Sequence, residues 1–353
     1  MVSLINARTG NFTHSVYAMD GCYDALPLIR GAENPPELPE AFAKAGMPKS
    51  IFGCRALLKD YAPDLLVTYN WGSVEWVLGN RFFPLCPMVH VQDGFGAEEQ
   101  EHQIARRRII RSFAYRGCDA VVAPSRKLEV LARNRWGISK RKLHYIPNGI
   151  DVDRFIRPAD KSILTHFGLT PEDRIIGTVA ALRPEKNLGR LIEAFHQVAE
   201  LYTNTKLVIV GGGMGRSALQ MLAERIGLKD RVIFTGPMPE PEAIIPAFEI
   251  FALSSDTEQM PLSVVEAMAA GLPVVSTDVG DIRAMVSEGN EDFIEGKSAA
   301  SLAKSLSAML DRRDTGHRIG AANQHKAKSE YSLKTMVEKY DTLFLDVLKG
   351  FRK

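Results

Sequence analysis

The chain has 353 residues, and no apolar run within it approaches the roughly 20 residues needed to cross a bilayer. Its N-terminus also lacks the basic-then-apolar order of a secretory leader. A cytoplasmic protein that at most rests on a membrane is expected. Net charge is scarce: 44 Lys and Arg stand against 42 Asp and Glu, so the whole chain does not argue for a nucleic-acid partner. Cysteine is scarce too. The four, at 22, 54, 86 and 118, form no C-x-x-C and have no local His, which reads as reduced structural thiols and not as a metal or redox centre. Their even spacing is no repeat, because the flanks share nothing beyond Gly-Cys. Two nucleotide signatures are missing as well. Gly211-Gly212-Gly213-Met214-Gly215 is not G-x-G-x-x-G, since position 216 is Arg, and no G-x-x-x-x-G-K-[ST] occurs. No acid follows Phe234-Thr235-Gly236 to hold a dinucleotide ribose, which weighs against a dinucleotide-dependent oxidoreductase. The pair Asp151 and Asp153 follows a turn with no further acids nearby, so it reads as solvent-facing and no metal site is expected.

What is present is a soluble globular composition, 45% apolar and 24% charged, at a length sufficient for two domains. Strands and helices alternate. A helix tail over Met1 to Asn6 and a strand over His14 to Met19 come first. Helical spacing follows over Ile51 to Tyr61, with strands over Asp64 to Asn70 and from Pro87 into the Asp93-Gly94-Phe95-Gly96 loop. A basic helix from about Glu99 to Arg116 precedes strands over Asp119 to Ser125 and from Lys142 to the Asn148-Gly149 turn. A second series begins after Arg157-Pro158: strands Ile175 to Val179, Lys206 to Val210 and Val232 to Thr235, with helices Asn187 to Tyr202 and Arg216 to Ile226 between them. An amphipathic tail, Ser332 to Leu348, carries Leu333, Met336, Val337, Tyr340, Leu343 and Phe344 on one side. Charge is uneven: residues 101–145 hold twelve Lys/Arg against three acids. Such a stretch suits an anionic membrane or a phospholipid-linked substrate, or else it is a solvated helix face balanced from elsewhere.

The densest signal is the stretch from Ile250 to Val275. An apolar run, Ile250-Phe251-Ala252-Leu253, enters a loop, Pro261 stands where a helix would begin, and Gly271 with Pro273 ends it before another strand. Leu262 and Glu266 share a face of that helix, and Glu266 lies roughly 7 Å behind its N-terminal amides at about 1.5 Å per residue. A diphosphate on those amides leaves a ribose within reach of Glu266, while Glu258 on the loop faces what lies beyond the phosphates. Other strand ends add candidates: His90 and Asp93, and Arg183 and Lys186 in Leu182-Arg183-Pro184-Glu185-Lys186-Asn187.

Glu258-Gln259-Met260-Pro261-Leu262-Ser263, followed by Glu266-Ala267-Met268-Ala269 and Gly271-Leu272-Pro273-Val274-Val275, resembles the E-x7-E motif of retaining family 4 glycosyltransferases. Pro147-Asn148-Gly149-Ile150-Asp151 and the Arg183-to-Asn187 loop resemble two further elements of that family. The resemblance implies an α/β fold of two Rossmann-like domains with parallel sheets facing across a cleft, the GT-B architecture. An acceptor-side domain over residues 1–157, a nucleotide-sugar domain over 158–331, and a C-terminal helix over 332–353 crossing back to the first domain are expected. It also implies a nucleotide-diphosphate sugar as donor, a glycan or lipid-linked hydroxyl as acceptor, retained configuration, and no metal or other cofactor. In the family's terms, His90 and Asp93 lie on the acceptor side, Arg183 and Lys186 neutralise the leaving diphosphate, Glu258 holds sugar hydroxyls and Glu266 the ribose. Gly212, Gly213, Pro237, Met238, Met260, Leu262 and Ser263 would line the donor, and Gly280 would turn a loop beneath it, whereas Asp281 and Ala284 depart from the pattern. Family members open with a strand and a glycine-rich loop that this sequence does not contain, so weak catalysis is expected of the chain as given. A non-catalytic sugar-nucleotide-binding subunit stays open as the alternative.

Overall fold

The computed structural model describes residues 1–8, 12–30, 32–33, 46–95, 97–99 and 103–351. They divide into two units, Met1–Asn148 with Leu333–Lys353, and Gly149–Ser332. The sequence placed this division near Arg157-Pro158; packing places it at the Asn148-Gly149 turn, because Ile150, Val152 and Phe155 join the second unit's contacts.

The first unit holds four parallel strands in the order β3 (Leu66–Tyr69), β4 (Met88–Val91), β5 (Ala120–Ala123), β6 (Leu143–Tyr145). β4 and β5 are buried at every position, as expected of parallel strands covered by helices on both faces. Met88, Val121 and Ala123 face Val74, Val77, Tyr115, Leu128 and Trp136 from the helices Val74–Arg81, Ala105–Tyr115 and Arg126–Trp136. Val89, Val91, Ala120 and Val122 face the other way, against Leu4 of the short helix Val2–Asn6 and Met336, Tyr340, Leu343 and Phe344 of the tail helix Leu333–Gly350. The tail helix therefore packs in the first unit.

Two expectations in this unit change. Only His14–Ser15 of the segment His14 to Met19 pairs as a strand, β1, with β2 (Ala32–Glu33). The rest is anchored by side chains: Tyr17 packs on Trp76 with ring centroids 5.2 Å apart, and the Trp76 indole N–H donates to the Met19 sulfur at 3.1 Å. The basic helix begins at Ala105 and not near Glu99; residues 100–102 lie outside the described ones, as does Gly96 of the expected loop. Glu99 lies in a short 3-10 turn whose carboxylate accepts two hydrogen bonds from Arg111 at 2.8 and 2.6 Å, with both side chains fully buried. Rings of Trp71, Phe95 and Trp136 surround that guanidinium at 5.1, 5.1 and 5.8 Å, and the ion pair holds the Glu99 carboxyl below its ordinary range. Of the four cysteines, all in this unit, Cys54, Cys86 and Cys118 are buried, which pushes their thiols up to about 12, 11 and 12, and Cys22 is exposed.

The second unit holds six parallel strands in the order β12-β11-β10-β7-β8-β9: β7 Arg174–Val179, β8 Thr205–Val210, β9 Val232–Gly236, β10 Ile250–Leu253, β11 Val274–Thr277 and β12 Ile294–Glu295. From β7 the chain moves outward to β8 and β9, and from β10 outward the other way to β11 and β12. The order reverses between β7 and β10. The chain ends of those two neighbours open a crevice, which is where ligands bind in sheets of this kind. Among the described residues no helix is long and apolar enough to cross a membrane.

Two outcomes are expected. Glu99→Gln leaves Arg111 buried without its countercharge and should destabilise the first unit by about 3–5 kcal/mol in urea unfolding, whereas an unchanged midpoint would show that water reaches the pair. At Gly211, φ is +143° and a Cβ would meet the Ala180 carbonyl oxygen at 1.9 Å, while at Gly227, φ +76°, nothing lies within 4 Å. Gly227→Ala should cost about 1 kcal/mol of backbone strain and Gly211→Ala at least about 3, compared by thermal unfolding.

Candidate functional site

The loop after β7 carries Arg183 and Lys186, and the loop after β10 carries Glu258. Their closeness follows from strand order. Lys186 Nζ donates to Glu258 Oε1 at 2.6 Å, and Ser255 Oγ donates to the same oxygen at 2.7 Å. The two loops are lashed along their length: Asp256 N donates to the Glu185 carbonyl at 2.8 Å, Ser254 Oγ to the Lys186 carbonyl at 3.0 Å, and Asn187 Nδ2 and Arg190 Nη2 to the Asp256 carboxylate at 3.0 and 2.7 Å. Asn187 holds a left-handed backbone, φ +42°, and its side chain caps the next helix, Leu188–Leu201. Arg183, by contrast, is exposed and has no acidic or hydrogen-bonding side-chain partner among the described residues.

The helix Leu262–Ala269 follows Glu258 at once. Pro261 caps it without a side-chain hydrogen bond, and the amides of Leu262 and Ser263 have no acceptor among the described residues, so the helix N-terminus is open to an anion. One turn in, the Glu266 carboxylate accepts no hydrogen bond among the described residues and is half-buried; burial, reinforced by nearby Glu242 and opposed by Arg154, pushes it up to about 7. Glu242 is itself nearly buried and accepts from Arg154 Nε at 2.8 Å. Arg154 and Glu242 stand 88 positions apart in the chain and were not legible as site residues.

The remaining donor-side candidates separate. Leu262 is 42% exposed and Ser263 half-buried beside the open amides. Met260 is placed in the hydrophobic core at 7% exposure, where its side chain packs on Val264 and its neighbours. Gly212 lies against the Pro237 ring, to which a Cβ would come within 3.2 Å, and Gly213, φ +150°, lies over the Leu182 backbone. Pro237 is exposed and Met238 half-buried. Gly280, φ +55°, passes under the Glu258 and Gln259 carbonyls so closely that a Cβ would stand 2.7 and 2.6 Å from them.

In the first unit the two candidates part company. His90 is wholly buried in β4: Nδ1 lies 2.9 Å from Thr68 Oγ1, the ring stacks on Tyr115 at 3.8 Å, and burial lowers its pKa to about 3. Its Nε2 lies 3.5 Å from Gln92 Oε1, so both ring nitrogens face protein side chains. Asp93 is half-buried just past the end of β4; burial raises its pKa, against a hydrogen bond with Asn148. A residue that sequence reasoning passed over sets its position. Asn70, at the end of β3 with φ +55°, accepts from Gln92 Nε2 at 3.2 Å and from the Asp93 amide at 2.8 Å. With ψ at −171° this backbone lies outside the left-handed helical region that Asn commonly adopts, so it is a strained position that the sequence did not announce.

Comparison with known proteins now bears on this geometry. Residues 14–154 match the family model described as Glycosyltransferase Family 4, and residues 162–326 match Glycosyl transferases group 1. The D-inositol 3-phosphate glycosyltransferase of Nocardia farcinica is 28% identical over 284 residues, covering 73% of this chain and 61% of the relative. The mannosylfructose-phosphate synthase of Agrobacterium fabrum is 29% identical over 233 residues, covering 62% and 51%. The chain thus spans less than two thirds of either relative. Among solved structures, a sucrose-phosphate synthase from Thermosynechococcus elongatus superposes with a TM-score of 0.75 at 21% identity, covering 91% of this chain and 82% of that one. Anabaena Alr3699/HepE in complex with UDP-glucose superposes at 0.74 with 20% identity, covering 91% and 88%. With two family models that between them take in both units, and with the fold shared with those structures, the chain belongs to the group 1 glycosyltransferases of the GT-B fold.

Proposed function

We propose that this chain moves a sugar from a nucleotide-diphosphate donor to a hydroxyl of a glycan or lipid-linked acceptor, with retained anomeric configuration, in the synthesis of a cell-surface polysaccharide or glycolipid. One observation carries the reading: the Lys186–Glu258 pair joins the loops after β7 and β10, directly before a helix whose first amides have no acceptor among the described residues. The family supports transfer from a nucleotide sugar, and the UDP-glucose held by the Anabaena relative supports the donor class. Retention rests on family resemblance alone.

In this reading the diphosphate lies on the Leu262 and Ser263 amides with Arg183 beside it. As the glycosidic bond breaks, negative charge grows on the leaving diphosphate, and Arg183, Lys186 and the helix dipole stabilise it. Those groups supply the positive field, and no metal is assigned a role. Lys186 keeps Glu258 oriented by their 2.6 Å bond, so that the carboxylate meets sugar hydroxyls. Glu266, with no hydrogen-bond partner among the described residues, accepts from the ribose. Asp93, held by Asn70, is the remaining acceptor-side candidate, and the positive excess of residues 101–145 faces an anionic membrane.

Incubation with a panel of nucleotide sugars tests the whole reading. Release of a nucleoside diphosphate in the presence of an acceptor, with the product's anomeric configuration read by NMR, is expected; binding without release would make the chain a sugar-nucleotide-binding subunit. Glu266→Ala should weaken both donor and nucleoside diphosphate by about 1–3 kcal/mol in calorimetry, and equal affinities would remove it from the ribose. Arg183→Ala and Lys186→Ala should each lower kcat more than they raise KM, because the charge they meet develops toward the transition state. Stability should also depend on pH through Glu266. Its folded pKa is raised, so its contribution is fully present below the unfolded value near 4.5 and is lost as pH rises through about 7. Relative to the parent, Glu266→Gln should gain on the order of 3 kcal/mol between pH 4 and pH 8. Parallel stability curves for the two proteins would contradict the buried carboxylate.

A further inference from the structure

The structure sorts the basic residues of the 101–145 stretch. Arg111 is buried on Glu99, Arg107 is held by Glu98 and Glu99, Lys142 Nζ donates to the Cys118 carbonyl at 2.7 Å, and Arg126 lies 3.7 Å over the Tyr145 ring. Arg106, Arg108 and Arg116 remain exposed on or directly after the helix Ala105–Tyr115. Arg106, Ile109, Phe113 and Arg116 follow at steps of three, four and three, which puts them on one helix face opposite the buried Arg111, Ala114 and Tyr115. That outer face is not polar. Ile109 is 65% and Phe113 45% exposed.

A second element continues it. Phe82 and Phe83, which follow the helix Val74–Arg81, are 69% and 76% exposed, and the Phe82 ring lies 5.8 Å from that of Phe113. Two arginines hold these elements: Arg81 lies 4.3 Å over the Phe113 ring, and Arg55 donates to the Phe83 carbonyl at 2.9 Å. The fourth exposed phenylalanine among the described residues, Phe52, lies one turn before Arg55 in the helix Met47–Tyr61. Glu98 pairs with Arg107, and the Asp119 carboxylate accepts from the Met88 amide.

We infer that Phe82, Phe83, Ile109 and Phe113, rimmed by Arg106 and Arg116, form a docking face that enters the headgroup region of an anionic lipid bilayer. Aromatic and branched apolar side chains flanked by unpaired arginines are the chemistry of an interfacial element: the rings enter the acyl boundary and the guanidinium groups stay with lipid phosphates. The inference deepens the membrane reading of residues 101–145, moving its apolar part to Phe82 and Phe83, which lie outside that stretch. It concerns binding and not transfer, so it stands or falls independently of the chemistry.

The test is co-flotation of the full chain with vesicles, one set of zwitterionic phosphatidylcholine and one containing about a third phosphatidylglycerol. Binding to the anionic set only is expected. Phe82→Ser with Phe83→Ser should reduce it about tenfold or more, and Arg106→Glu with Arg116→Glu should remove the preference for anionic lipid, while nucleoside diphosphate binding stays at the parental value in both. A Phe83→Trp variant should show a blue-shifted fluorescence on vesicle addition if position 83 enters the bilayer. A parent that stays with the soluble fraction, unaltered binding by the double serine variant, or a parental dimer that the serine variant turns into a monomer would each overturn the inference, the last by assigning the face to a second copy of the chain.

Discussion

Everything proposed for the second unit depends on the tie between the loops after β7 and β10. Two loops that leave adjacent parallel strands diverge unless something holds them, because each strand continues to a helix on its own side of the switch point. Here Asp256 serves as the knot. Its amide reaches the Glu185 carbonyl, its carboxylate takes Asn187 and Arg190, and Lys297 donates to its carbonyl at 2.6 Å. With that loop fixed, Glu258 falls on Lys186 and the helix Leu262–Ala269 begins with its amides free. Gly280 completes the arrangement from below, since any side chain there would press the Glu258 and Gln259 carbonyls upward.

The same elements show what a sequence can and cannot disclose. Alternating strand and helix lengths made both parallel sheets legible, and the Glu258 to Glu266 spacing across a helix start pointed to the crevice between β7 and β10. Pairings across long separations were not legible: Lys186 and Glu258 are 72 positions apart, and Arg154 and Glu242 are 88. The setting of His90 was not legible either: it lies in a strand buried at every position, which strand-end reasoning does not distinguish from a half-exposed one. The pairing at β1 fell short for want of partners, because Tyr17 and Met19 are held by Trp76 through packing and a backbone ladder is not required.

The first unit also shows how one run of like charge is divided by burial. A helix with five arginines among its residues and flank cannot bury them all, and this one buries a single guanidinium, fully neutralised by Glu99 and enclosed by three aromatic rings. Fixing Arg111 inward fixes the rotation of the whole helix. The rotation in turn decides that Ile109 and Phe113 face outward, a choice that composition alone does not make.

The placement of the thiols has a practical consequence. Only a thiolate attacks an alkylating reagent, and three of the four cysteines are both enclosed and held far from ionisation by burial. At neutral pH the protein therefore carries one addressable sulfur, Cys22, and three that react only when their surroundings open. Because Cys54 and Cys86 line one cluster while Cys118 belongs to the layer beneath β4 and β5, their separate alkylation rates are local clocks for the opening of two layers of the first unit. The second unit, having no cysteine, contributes nothing to that signal.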